Sequence, residues 1–279
     1  MARRRLGVAL VAEGSLAVEL DTLRRALGDP DLERIPPRLT LVPPVNVVED
    51  RVGDALAQLR GAARMVEPFE IALGPVATFD PVTPTVHLAV IDDAGAVAAL
   101  RDRVFREPLS RRVDHGFVAH VTLRQQAPRH RLHAALVALA GYRTRWRPER
   151  ITLLEERREA DRVRRWRPVG DVDLGGVRVV GRGGLEWELT AGTLLDPEVV
   201  GRLDLDDAAT SFHGSAGPGQ RLVVSLRRPD AGVAGVAFGL LGSEPRLVVV
   251  PDPVGLDRDA EDHLRAEFRW RSETRPDRG

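Results

Sequence analysis

In the stretch Phe117-Val118-Ala119-His120-Val121-Thr122-Leu123-Arg124, β-branched and apolar residues dominate, the mark of a strand. Side chains alternate between the faces of a strand, so Val121 and Leu123 share one face while His120 and Thr122 point together to the other. Upstream, Pro37-Arg38-Leu39-Thr40-Leu41-Val42 repeats the pattern with arginine where the histidine would stand. The fold follows from what surrounds these two strands.

Around the first, Arg5 to Val11 reads as a strand, and Ser15 as the N-cap of a helix to about Leu27, stopped by Gly28-Asp29-Pro30. Arg38 to Val42 is closed by Pro43-Pro44, and Val52 to Met65 carries helical spacing at Val52, Leu56, Leu59 and Ala63. Phe69 to Val76 is a strand again. The order then repeats: a strand at Thr85 to Ile91, a helix at Ala94 to Phe105, the His120 strand, a helix through Leu132 to Leu139, and a strand at Arg150 to Leu154. The offsets are nearly constant: Arg5 to Thr85 is 80, Arg38 to His120 and Thr40 to Thr122 are 82, and Phe69 to Arg150 is 81. Five elements in register argue for an internal duplication, β-α-β-α-β given twice. The expected class is α+β, a two-lobed domain with a central cleft, closed by a hairpin of Ile151–Arg157 and Val163–Val169.

Gly170 to Gly176, short and rich in Gly and Asp, marks a boundary between a domain over residues 1–174 and a small α+β domain over 175–279. In the second, Leu185 to Leu189, Arg221 to Leu226, Val233 to Leu240 and Arg246 to Val250 read as strands. Asp204 to Gly219 reads as a loop, Asp257 to Trp270 as a charged helix, and Ser272 to Gly279 as a disordered tail.

Composition excludes several chemistries. The absence of cysteine rules out disulfides, Cys-ligated zinc and thiol catalysis. The apolar run Leu6 to Val11 is too short for a membrane span and lacks a cleavage-site pattern, so the expectation is a cytoplasmic protein with no membrane partner. All 41 basic residues are arginine, a bias that discounts arginine clusters as a nucleic-acid signal. Residues 1–174 hold 28 Arg against 24 Asp and Glu, and residues 175–279 hold 13 against 17, so the first part is mildly basic and compatible with a phosphate ligand.

Two His-x-Thr strands related by a pseudo-twofold would line a cleft with two imidazoles and two hydroxyls. That set suits transfer at phosphorus: one imidazole takes a proton from the attacking oxygen, the other protonates the leaving oxygen, and the hydroxyls hold phosphoryl oxygens. It requires no metal and no cofactor.

The duplicated layout, His120-Val121-Thr122, and Pro36-Pro37-Arg38-Leu39-Thr40-Leu41-Val42-Pro43-Pro44-Val45 resemble the 2H phosphoesterases, the superfamily of the 2′-5′ RNA ligases and cyclic phosphodiesterases, over about residues 1–174. The resemblance implies an enzyme or binder of 2′,5′-linked or 2′,3′-cyclic phosphates. Its partner would be a phosphoester small molecule or an RNA end, and His120, Thr122 and Thr40 map onto the family's catalytic set. Arg38 departs from it. Arginine stays protonated, with a pKa above about 12, and cannot exchange a proton near neutrality, yet it can hold a phosphate. The expectation is a site with a degenerate first motif that binds first and turns over slowly. The alternatives are a non-catalytic nucleotide- or RNA-end-binding module, or an acyltransferase.

In Thr85-Val86-His87-Leu88-Ala89-Val90, the residues Val86, Leu88 and Val90 share the helix-packed face. His87 then lies on the other, either as an auxiliary imidazole near the cleft or as a locally bonded strand histidine. His115, His130 and His133 read as surface residues. Arg162, Arg164, Arg165 and Arg167 read as a solvated strand face rather than an RNA contact.

In the C-terminal part, Gly232-Val233-Ala234-Gly235-Val236-Ala237-Phe238-Gly239 and Leu247-Val248-Val249-Val250-Pro251 resemble the middle of a GNAT acetyltransferase over about residues 178–270. In that family a Gly-rich turn and helix N-terminus cradle the pyrophosphate of acetyl-CoA. Here the turn is Asp252-Pro253-Val254-Gly255-Leu256-Asp257. Val254 stands at the usual basic position, and Asp257 puts a carboxylate where pyrophosphate would sit, which disfavours acetyl-CoA. A truncated, CoA-free domain and an unrelated small α+β domain are the two readings.

Overall fold

The computed structural model describes residues 2–182, 185–229, 231–251 and 257–275. Two compact units divide it, one of residues 1–58 and 68–168, the other of 59–67 and 169–279. The stretch expected as a boundary starts inside a strand, Gly170 to Asp173 ending β8 (Arg164–Asp173), and the units divide between residues 168 and 169.

The first unit is an antiparallel sheet built from β1 (Arg3–Val11), β2 (Arg38–Val48), β3 (Ile71–Thr78), β4 (Val86–Ile91), β5 (His120–Arg124), β6 (Thr144–Trp146), β7 (Arg150–Arg158) and β8. The spatial order is β6-β3-β4-β5-β2-β1-β7-β8. About the β5/β2 junction this order is palindromic: β4 mirrors β1, and β3 mirrors β7. Each repeat therefore gives its third strand to the other half of the sheet. β3 of the first repeat pairs with β4, and β7 of the second pairs with β1. The helices α1 (Gly14–Ala26), α2 (Val52–Ala63), α3 (Ala96–Val104) and α4 (Arg129–Ala138) follow the same duplication.

Register sharpens the equivalence. Ala9, Leu10 and Val11 face Thr40, Leu39 and Arg38, while His87, Leu88 and Ala89 face Thr122, Val121 and His120. The first strands of the repeats are thus offset by 78 (His87 to Ala9) rather than 80. An even shift leaves every side chain on its expected face.

Several boundaries differ from the sequence expectation. Glu13, not Ser15, occupies the N-cap of α1. It makes no capping bond, and its carboxylate is engaged by the Arg150 guanidinium at 2.5 Å. β2 continues through Pro43-Pro44 because the two prolines, which lack an N–H, fall where the ladder with β1 shifts register opposite Gly7. Phe117 to Ala119 precede the strand, which starts at His120; the Phe117 ring lies 4.6 Å from the Arg101 guanidinium instead.

The second unit is an antiparallel sheet in the order β13-β12-β11-β10-β9, formed by β9 (Arg178–Arg182), β10 (Leu185–Gly192), β11 (Arg221–Arg228), β12 (Gly232–Leu240) and β13 (Arg246–Val249). Alternation gives it two apolar faces. Leu222, Val224 and Leu226 pack with Leu264 and Phe268 of α7 (Asp257–Thr274), while Val223, Val236 and Phe238 pack with α5 (Pro197–Leu203) and α6 (Asp206–Ser215). The stretch expected as a loop after Asp204 therefore contains a helix, because Leu205, Ala209 and Phe212 form a stripe that this second face buries. The expected tail is helical to Thr274, and Arg275 donates to Asp173 at 2.5 Å; residues 276–279 lie outside the described residues. The expected turn at 252–256 also lies outside them. No helix among the described residues is long and apolar enough to cross a membrane.

Candidate phosphoester site

β2 and β5 meet antiparallel at the Leu39–Val121 pair. Both residues are fully buried, so their neighbours in sequence point to the opposite face. Continuing that register sets Arg38 across from Thr122 and Thr40 across from His120. The four side chains make a quadrilateral with Arg38 and His120 on one diagonal, a separation of about 7–8 Å for such positions. All four line one cleft of about 390 Å³.

The His120 Nδ1 lies 2.8 Å from the carbonyl oxygen of Val118. A carbonyl only accepts, so Nδ1 carries the proton and Nε2 presents a lone pair. Burial lowers the His120 pKa, as does the charge of Arg38, while the Val118 carbonyl works in the opposite direction. At neutral pH His120 is therefore a free base. Thr40 and Thr122 make no side-chain hydrogen bond among the described residues, which leaves both hydroxyls available to a ligand.

Arg38 donates from Nη1 to the carbonyl of Pro36 at 3.2 Å and forms no ion pair among the described residues. Burial, and then the charge of Arg24, bring its pKa down to about 10, with Asp31 and Asp29 pulling the other way. It remains charged at neutrality. Its neighbours are already committed. Arg24, 2 % exposed, donates to Asp29 at 2.8 Å, to Asp21 at 2.7 Å and to the Asp31 carbonyl at 3.1 Å. Arg34 donates to the Asp31 carboxylate at 2.7 Å. Glu156, also in the lining, faces Arg5 at 3.4 Å and Arg164 at 3.2 Å. The acidic groups are balanced by these partners, and among the described residues of the lining Arg38 is the cation without an ion pair.

The apolar wall includes Trp166, which lies against β1. A Cβ on Gly7 would stand 3.4 Å from the Trp166 ring and 3.3 Å from the Val42 carbonyl, so glycine lets the indole approach the strand. The sequence reading missed Trp166, along with Arg24, Asp29 and Asp31. Gly28-Asp29-Pro30 announced only the end of α1, where Gly28 takes a φ of +68°.

His87 is on the cleft-facing side of β4 but does not line the cleft. It is 4 % exposed, stacked on Phe79 with ring centroids 4.1 Å apart, and its centroid is 5.3 Å from that of His120. Its Nδ1 has no hydrogen-bond partner among the described residues. Burial, followed by the charge of His120, pushes its pKa down to about 4. His87 is a covered imidazole packed against the ring of His120. His115, His130 and His133 are exposed. Among the basic residues of the last hairpin, Arg164, Arg165 and Arg167 pair with Glu156, Glu159 and Asp161, which occupies the charges an RNA backbone would need.

A duplicated antiparallel frame thus holds a cation, an imidazole and two hydroxyls over one cleft. The family model of the 2′-5′ RNA ligase superfamily matches residues 12–160, more than half of the chain. The chain belongs to that superfamily, the 2H phosphoesterases. A protein of Oceanobacillus iheyensis named "Putative phosphoesterase" is 29% identical over 119 residues, 43% of this chain and 69% of the relative. One of the same name from Halalkalibacterium halodurans is 30% identical over 119 residues, 43% of this chain and 68% of the relative. Among solved structures, E. coli LigT in apo form aligns with a TM-score of 0.46 and 18% identity, covering 62% of this chain and 98% of that one.

Proposed function

We propose that the cleft of the first unit binds the phosphate of a nucleotide or RNA end between Arg38 and His120, with Thr40 and Thr122 on its oxygens. The observation that carries this is the Arg38 guanidinium, without an ion pair among the described residues, diagonally across from a neutral His120. A bidentate guanidinium suits two phosphoryl oxygens, and the free hydroxyls suit the others. Turnover of 2′,3′-cyclic or 2′,5′-linked phosphates is slow, because expelling a ribose oxygen calls for a proton that Arg38, with a pKa of about 10, gives up far less readily than an imidazolium would. Losing one partner of an acid–base pair costs about 10²- to 10⁴-fold in rate. The non-catalytic binder is the limit of the same reading.

One assay separates enzyme from binder: 2′,3′-cyclic nucleotides and 2′,5′-linked dinucleotides offered to the native protein, His120→Ala and Arg38→His. The expected result is weak native activity, none in His120→Ala and a gain in Arg38→His. No gain in Arg38→His, together with no protection of the fold by phosphate ligands, would sink the phosphoesterase reading.

For the second unit, the order β10-α5-α6-β11-β12-β13-α7 on an antiparallel sheet supports the acetyltransferase-like frame. α7 is the last described element. We read this unit as CoA-free, and a rise in melting temperature with acetyl-CoA would overturn that.

A further inference from the structure

The asymmetry of the cleft restricts what can leave from phosphorus. An in-line displacement needs a base on the attacking side and some answer to the charge that develops on the leaving oxygen. The Leu39–Val121 register sets the two candidate groups on a diagonal, one on each side of the hydroxyl pair. On one side stands His120, whose Nδ1–H is held by the Val118 carbonyl so that Nε2 offers its lone pair. On the other stands Arg38, a guanidinium with no ion pair among the described residues. Among the described residues the other imidazole near them is His87, which is 4 % exposed, stacked on Phe79 and outside the cleft lining. The cleft lining therefore holds, among the described residues, one imidazole, with the Arg38 guanidinium across from it, an acid far weaker than an imidazolium and poorly matched to protonating a departing alkoxide near neutral pH.

We infer that this cleft cleaves nucleotide phosphodiesters and phosphoanhydrides whose leaving oxygen is stable as an anion near neutral pH, with His120 as base and Arg38 as the charge facing the departing oxygen. The inference rests on phosphate binding in the cleft as proposed above, and it narrows the substrate from any phosphoester to this class. Water attacks phosphorus while His120 Nε2 takes its proton. The bond from phosphorus to the leaving oxygen breaks, and its electron pair goes with the leaving group as an anion beside Arg38. The imidazolium then returns its proton to solvent. A phosphate leaving group, with a second pKa near 6, meets the requirement; a ribose hydroxyl does not.

Two esters of one nucleotide test this, the 5′-(p-nitrophenyl phosphate) and the 5′-(phenyl phosphate) of uridine. Phenol, with a pKa near 10 like that of tyrosine, is the poorer leaving group. Both would be measured for binding by calorimetry and for kcat in the native protein, Arg38→His and His120→Gln. In the native protein the p-nitrophenyl ester should turn over on the order of 100-fold faster than the phenyl ester. Arg38→His should bring the ratio to within about tenfold by raising the phenyl rate, since an imidazolium can protonate phenolate. His120→Gln should bind both esters and cleave neither. The same ratio in native and Arg38→His, or cleavage by His120→Gln, overturns the inference. So does p-nitrophenyl ester that binds and is left intact, in which case phosphate binding in the cleft stands. If neither ester binds the native protein, the binding reading falls with it.

Discussion

The two repeats of the first unit share a frame and differ in what they hang on it. In one, the central strand carries Arg38 and Thr40, and the neighbouring strand sets Ala9 beside the threonine. In the other, the strand carries His120 and Thr122, and the neighbour sets His87 beside the threonine. The apolar positions correspond closely: Leu39 matches Val121 and Leu10 matches Leu88, all fully buried. Packing constrains that face of each strand, because a core has no room for a change of volume. The cleft face is free of that constraint, and there the halves have diverged into a proton acceptor on one side and a fixed cation on the other. The fold symmetry thus survives in the core after it has gone from the chemistry.

The comparison can be broken at its hinge. Leu39→Ala removes a fully buried side chain at the β2/β5 junction, where the repeats meet. A loss of about 2–5 kcal/mol in unfolding free energy is expected, read from denaturant midpoints. A loss under about 1 kcal/mol would mean that the two halves hold together by other contacts.

Removing the cation tests the diverged half. Arg38→Ala should weaken uridine 5′-phosphate binding by about 1.5–3 kcal/mol, the worth of a hydrogen bond to a charged group, with little change in melting temperature. Unchanged affinity by calorimetry would place the phosphate elsewhere.

The smallest effect belongs to His87, the counterpart of Ala9. Its pKa falls from 6.5 to about 4 in the fold, so below 6.5 the unfolded chain takes up a proton that the folded chain refuses. That contribution to stability is present above 6.5 and is lost as pH drops towards 4. His213 in the second unit, also brought down to about 4 by burial and the charge of Arg221, behaves alike; its Nε2 accepts the Leu195 N–H at 3.0 Å. His87→Phe should therefore reduce the loss of stability between pH 7 and pH 5 without abolishing it. Urea midpoints at the two pH values measure this, and an unchanged slope would show that His87 is not the neutral buried group described.

The His120 strand was legible because its burial is local in pattern: alternate residues buried, alternate residues in the cleft. The duplication was legible because a repeat leaves a period in the sequence. Hidden features share a different origin. α6 looked like a loop because its apolar stripe of Leu205, Ala209 and Phe212 is short and set among Asp, Ser and Gly, and it needs the β11/β12 face to bury it. Trp166 is 46 residues from His120 and on another strand, and only the hairpin folding back past Gly7 brings it to the cleft wall. His87 was placed on the correct face, yet whether it reaches the cleft depends on Phe79, which the sequence could not position.

By itself, the sequence determined that two similar β-α-β-α-β units exist, which face of each strand is apolar, and that one motif has arginine where a proton-transferring histidine would serve. Those are properties of residue type and period. The tertiary structure decided that each repeat lends its last strand to the other half, that Arg24 and Arg34 are spent on Asp21, Asp29 and Asp31, and that Arg38, without an ion pair among the described residues, faces His120 across the diagonal. These follow from pairings between residues far apart in the chain. Such pairings are fixed by the whole balance of burial and charge, and no single stretch of sequence contains them.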